Sequence, residues 1–143
     1  MSRKQVNHLN NIKQNIIMTV YGKTINMHLK HCLISDHYFN CKKIKCNLCK
    51  QGKFTLIDRK GEQFDIFPDQ DCNNLIFNSH CLYIDHLEKL EVDFILLSFS
   101  NEAPEITKAV FRDFKNNIMF AKPRQISLNT KLTNGYFLSL IHI

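Results

Sequence analysis

A chain of 143 residues with 44% hydrophobic and 22% charged side chains holds enough apolar material to bury a core. That excludes a wholly disordered protein and sets the expectation of one domain over residues 1–143. A net charge of +6 favours polyanionic partners such as RNA or acidic metabolites.

The first residues, MSRKQVNHLNNIKQN, are polar, and the run Ile16 to Val20 is far too short to cross a bilayer. The expectation is a cytoplasmic chain with no signal peptide and no membrane contact. Six cysteines in a reducing compartment point to a metal or to reactive thiols before disulfides.

Ser2 is placed to cap a helix with Val6, Leu9 and Ile12 on its apolar face, fading near Asn15. Ile16 to Tyr21, apolar and β-branched, predicts a strand buried on both faces and ended by Gly22. Ile25 to Leu29 is a weaker segment leading to Cys32. Ser35 to Lys53 has no sustained periodicity and reads as an irregular loop that metal ligation would hold in place.

Phe54 to Asp58 and Gln63 to Phe67 alternate around a turn containing Gly61 and predict a β-hairpin ended by Pro68. Leu75 to Phe77 predicts a short strand closing at Asn78 and Ser79. His80 to Glu91, with Leu82, Ile84, Leu87 and Leu90 at helical spacing, predicts an amphipathic helix. Asp93 to Phe99 reads as a buried strand. Asn101 then caps a helix over about Ala103 to Asn116, with Ile106, Ala109, Val110 and Phe114 turned inward. Ile118 to Ile143 gives no clear pattern. The alternation of helix and buried strand gives an α/β class: part of a TIM-barrel-like parallel sheet, too short to close, carrying a cysteine-rich β-hairpin insert.

Five of the six cysteines lie between His31 and Ser79. Cys32, Cys46, Cys49 and Cys72 are spaced C-x13-C-x2-C-x22-C. Two intervening residues let Cys46 and Cys49 turn both sulfurs onto one ion or one cluster face. Four thiolates suit either tetrahedral zinc or a [4Fe–4S] cluster, and the spacing does not separate them. A second zinc set would join Cys46 and Cys49 to Cys72 and Cys81. Cys41 and Cys81 also read as small buried apolar residues.

His31 and His37 are near enough in sequence to act as ligands. Lys42, Lys43, Lys45, Lys50 and Lys53 surround the cysteines, either as a solvated face or as cations guiding an anionic substrate. Asp58 and Arg59 read as a local ion pair on the hairpin shoulder. Glu102 reads as a first-turn helix acid, with the end of a buried strand as its alternative setting. The chain has no Gly-rich phosphate loop and no G-x-S-x-G elbow, which counts against nucleotide-binding and serine-hydrolase chemistry.

From Val20 onward the chain resembles the later part of the U32 family of collagenase-like peptidases. The match rests on Val20-Tyr21-Gly22, Met27, Cys32-Leu33, Cys46-Asn-Leu-Cys49 and Leu56-Ile-Asp-Arg-Lys-Gly61. It continues through Phe67-Pro68, Asp71-Cys72, Ile76-Phe-Asn-Ser79 and Leu97-Ser-Phe-Ser-Asn-Glu102. It is good from Val20 to Ser100 and loose beyond, where Tyr136 stands in place of the family's usual His. The resemblance implies a TIM-type barrel of which this chain carries the later part, as a truncated protein or one half of a split one with a companion chain. It implies a [4Fe–4S] cluster on Cys32, Cys46, Cys49 and Cys72, with Cys41 and Cys81 as extras. Better-understood relatives hydroxylate RNA or a quinone precursor, so the expected function is iron–sulfur-dependent RNA hydroxylation. A collagenase-like protease, a zinc-binding module and a non-catalytic remnant are the alternatives.

Overall fold

A computed structural model of the chain describes residues 15–38, 49, 52–69, 71–87, 91–120, 124, 126–128 and 130–134. Its elements are strand β1 (Ile17–Leu29), helix α1 (Leu33–Tyr38), strands β2 (Phe54–Ile57), β3 (Gln63–Pro68), β4 (Asn74–Tyr83) and β5 (Phe94–Leu97), helix α2 (Pro104–Phe120) and strand β6 (Leu132–Thr133). The class is α/β, with an open sheet ordered β2-β3-β4-β1-β5 and β6 paired to β4. The predicted helix over residues 2–15 and most of the loop from Ser35 to Lys53 lie outside the described residues; α1 occupies the start of that loop.

The parallel, barrel-like sheet expected from the sequence is not what these strands form. β2 pairs antiparallel with β3, and β3 antiparallel with β4, while β1–β5 and β4–β6 are parallel. Connection length decides the sense. A turn over residues 58–62 joins β2 to β3 and a loop over residues 69–73 joins β3 to β4. Both are far shorter than a parallel crossover requires.

The chain divides into two compact units, Thr24–Ser79 and the remainder, Met1–Lys23 with His80–Ile143. In the first, Asp58 closes the hairpin turn: its carboxylate accepts the N–H groups of Lys60 at 2.7 Å and Glu62 at 2.9 Å. The expected pair with Arg59 gives way to this Asx-type turn, which satisfies two backbone donors at once. Phe67 and Phe77 meet edge to face, with centroids 4.9 Å apart, across the β3–β4 ladder.

In the second unit Val20, Tyr21, Val110 and Phe114 are buried among Cys81, Tyr83, Ile84 and Leu87. Tyr21 sits at the centre of the aromatic group, 5.2 Å from Phe99 and 5.8 Å from Tyr83 between ring centroids. Gly22 does not end the strand; β1 runs on to Leu29. It occupies φ +125°, and a Cβ there would lie 2.2 Å from the Ser98 carbonyl oxygen. Glycine is therefore required by the approach of two backbones.

Two further expectations are corrected here. His80 to Tyr83 is the end of β4 and not the start of a helix. Cys81 and Tyr83 alternate into the core, and the Cys81 N–H donates to the Lys131 carbonyl at 2.9 Å, so β6 captures this stretch as strand. β5 is half-buried on one side only: Phe94 and Leu96 stay exposed while Ile95 and Leu97 pack inward.

Helix α2 starts at Pro104, where the missing N–H costs nothing, and Ala103, not Asn101, supplies the first carbonyl, to Thr107 at 3.0 Å. Its inward face is Val110, Asp113, Phe114 and Asn117, a one-face helical spacing. Ile106 is exposed, and Ile118 to Phe120 extend the helix.

Candidate metal centre

Two of the four predicted cysteines line the same cleft. Cys32 follows β1 and Cys72 precedes β4, and both line one cleft of about 210 Å³ with Lys30, His31, Asp36 and Asp71 on its walls. Both cysteines are half-buried, and neither is in a disulfide. Cys49 is half-buried and also outside any disulfide, while Cys46 and Cys41 lie outside the described residues. Among the described residues no three His, Cys, Asp or Glu side chains converge on one point.

Cys32 sits directly ahead of α1. Its carbonyl accepts the Asp36 N–H at 3.2 Å, and its sulfur accepts the Ser35 N–H at 3.4 Å. A capping residue normally presents an oxygen to such orphan donors. Here a thiol takes that place, and Cys32 also lines the cleft.

Cys72 is set by the loop between β3 and β4. The Asp69 carboxylate accepts the N–H groups of Asp71 and Asn73, each at 2.9 Å, and the Asn73 side-chain amide at 2.9 Å. These bonds, the Asn73 amide first, hold the Asp69 carboxyl below its ordinary pKa of 3.8. Inside the loop Cys72 takes φ +60°, the only described non-glycine residue with a positive φ. A β-carbon is crowded there, so the conformation persists only because the surrounding bonds over-determine it.

Asn74 joins the two cysteine segments. It is fully buried; its Oδ1 accepts the Leu33 N–H at 2.7 Å and its Nδ2 donates to the Asn73 carbonyl at 3.0 Å. Asn74 lies two residues after Cys72, so the bond from the Leu33 N–H to its Oδ1 ties that segment to the one carrying Cys32, while the Asn73 bond is local and orients the amide. The sequence reading passed over Asn74 and Asp69. The polar run from Pro68 to Asn74 carried a turn signal, but nothing in it marks which Asn turns inward.

Among the described residues, His31 is the one further candidate ligand on this cleft. His31 is bonded to the Asp36 carboxylate on the cleft wall, and His37 lies exposed in the last turn of α1. Lys53 is exposed, and Lys42, Lys43, Lys45 and Lys50 lie outside the described residues. Glu102 precedes α2 instead of occupying its first turn; its carboxylate accepts the Ser100 N–H at 2.6 Å and faces the Tyr21 hydroxyl at 3.5 Å.

Cys81 is a core residue, 2% exposed, and burial pushes its thiol pKa up. The Tyr21 phenol is pushed far above its ordinary value by burial first and then by Cys81 and Glu102. Tyr83 donates a short hydrogen bond to the buried Asp113 carboxylate, and burial, then that bond, raises its phenol as well. These groups stay neutral at physiological pH and serve the core. No protein-family model, no curated protein and no solved structure matches this chain.

Proposed function

We propose that the chain is a U32-type iron–sulfur protein that holds a [4Fe–4S] cluster on Cys32, Cys46, Cys49 and Cys72 and acts in hydroxylating RNA. The observation that carries the reading is the shared cleft of Cys32 and Cys72, two segments distant in sequence that the fold brings onto one cavity. Cys32 and Cys72 suit such a site, being half-buried thiols outside any disulfide, the ligands that these clusters take, with Lys30 on the same cleft wall. A bound cluster supplies one-electron chemistry. The residues that would hold it are positioned by the chain itself: Cys32 by the Ser35 N–H, Cys72 by the Asp69-closed loop, and the two segments together by Asn74.

The RNA part of the reading rests on the net charge of +6 and on the lysines around Cys46 and Cys49. A companion chain belongs to the same reading. Phe94 and Leu96 on β5, and Phe111 and Met119 on α2, are the exposed apolar side chains such a chain would cover. No helix among the described residues is long and apolar enough to cross a membrane. For the protease alternative, the acid–hydroxyl pairs among the described residues include Tyr83 with Asp113 in the core, Tyr21 with Glu102, and the exposed Ser100 with Glu102 at 3.5 Å, and no His is bonded to any of these hydroxyls.

Single substitutions test the assignment. Iron per chain, measured after anaerobic purification, is expected to fall to background in Cys32→Ala, Cys49→Ala and Cys72→Ala and to persist in Cys41→Ala. Iron retained by Cys72→Ala would remove the reading.

A further inference from the structure

We propose that Asn74 holds Cys32 and Cys72 as a preformed dithiol, ready before any metal arrives, so that the incoming thiophilic ion is taken by these two sulfurs first. The inference rests on the reading of the cleft as a thiolate site, but it concerns the metal-free chain. A metal that had to gather its own ligands would find Cys32 and Cys72 on independently moving segments. Here the chain has already joined them without it.

Three features place this work on Asn74. It is fully buried and bonded at both ends of its amide, as most buried polar side chains are. Its acceptor end holds the backbone N–H next to Cys32, and its donor end holds the carbonyl next to Cys72. It also opens β4 and pairs in register with Pro68, so the amide is carried on a rigid strand. The Cys32 sulfur also accepts the Ser35 N–H, and the Asp69 carboxylate closes the backbone loop that carries Cys72. A ligand pair preorganised in this way binds more tightly because less ordering remains to be done on binding. Asn74 touches no metal in this account; it is a positioning residue.

The test uses the full chain, reduced with a phosphine and stripped with a chelator, and the bis-alkylating reagent dibromobimane. Each thiolate displaces one bromide, forming one carbon–sulfur bond and leaving its proton to the buffer, so a neighbouring pair becomes a stable bridge. Peptide mass spectrometry reads which cysteines are joined, and Cys81 alkylation in the same sample reports whether the core has opened. A Cys32–Cys72 bridge is expected in the wild-type chain and is expected to form about 10-fold more slowly in Asn74→Ala, where the two segments are no longer tied and more ordering must precede closure. Cys81 stays protected in both. Asn74→Asp, which keeps the acceptor for the Leu33 N–H, is expected to recover much of the rate.

No Cys32–Cys72 bridge in the metal-free wild type overturns the proposal, whatever the variants do. An equal rate in Asn74→Ala overturns the role of Asn74. If Asn74→Ala also exposes Cys81, the wild-type bridge and the Asn74→Asp rate decide. A bridge in a chain that binds neither iron nor zinc would leave the clamp standing and remove the cluster, so the two failures are distinct.

Discussion

Cys72 carries a cost that an ordinary loop residue would not. At φ +60° its side chain crowds the backbone by roughly 1–2 kcal/mol, a cost that glycine would not meet. Cys72→Gly is therefore expected to stabilise the metal-free chain by about 1 kcal/mol in urea titration while losing the metal. A variant that gained stability and kept its iron would show the thiol to be incidental. Asp69 makes the same loop sensitive to acid. Its folded pKa lies below 3.8, so its contribution to stability is present above that value and is lost as the pH falls through the lower, folded one. The urea midpoint should fall as the pH drops below about 4, and Asp69→Asn should flatten that part of the profile. The spacing to Cys49 singled out Cys72 in the sequence. The residues that hold it were not legible there, because Asp69 and Asn74 act through bonds to backbone groups, which leave no periodicity in the sequence.

Among the elements, the strongest local signals came through. The β2–β3 hairpin follows from two alternating runs around Asp58 to Glu62, and α2 follows from Pro104 and the spacing of Val110 and Phe114. The stretch after Ser79 misled because Leu82, Ile84, Leu87 and Leu90 match a helix, whereas Cys81 and Tyr83 match a strand with only two positions. Tertiary pairing settled it: β6 and the Ile84 N–H bond to the Val20 carbonyl at 2.9 Å favour the extended form. Two substitutions test this packing. Gly22→Ala places a methyl against the Ser98 carbonyl at a positive φ, and a loss of at least ~2 kcal/mol is expected in denaturant unfolding. Tyr83→Phe removes the hydroxyl that donates to the buried Asp113 carboxylate and is expected to cost about 1–3 kcal/mol. An unchanged midpoint in either would contradict the packing described for β1, β4 and α2.

At the scale of the whole molecule, the expectation of a parallel barrel fragment failed for a reason of chain length between strands. Residues 58–62 and 69–73 are too short to cross over, and a pattern of apolar runs alone does not report the sense of pairing. The cysteine site was legible in part: the spacing named Cys32 and Cys72, and the fold brings them to one cleft. The basic charge makes its own forecast. RNA binding, if it follows from the +6 net charge, should weaken steeply between about 50 and 200 mM salt in a filter-binding titration, and a salt-independent affinity would contradict it. The central claim is the cluster. Iron, zinc and acid-labile sulfide should be measured together with the absorption spectrum on protein purified without oxygen. The account predicts about four irons and four sulfides per chain with a broad band in the visible, as a [4Fe–4S] centre requires. One zinc with no sulfide, or no metal at all on a folded chain, would contradict it.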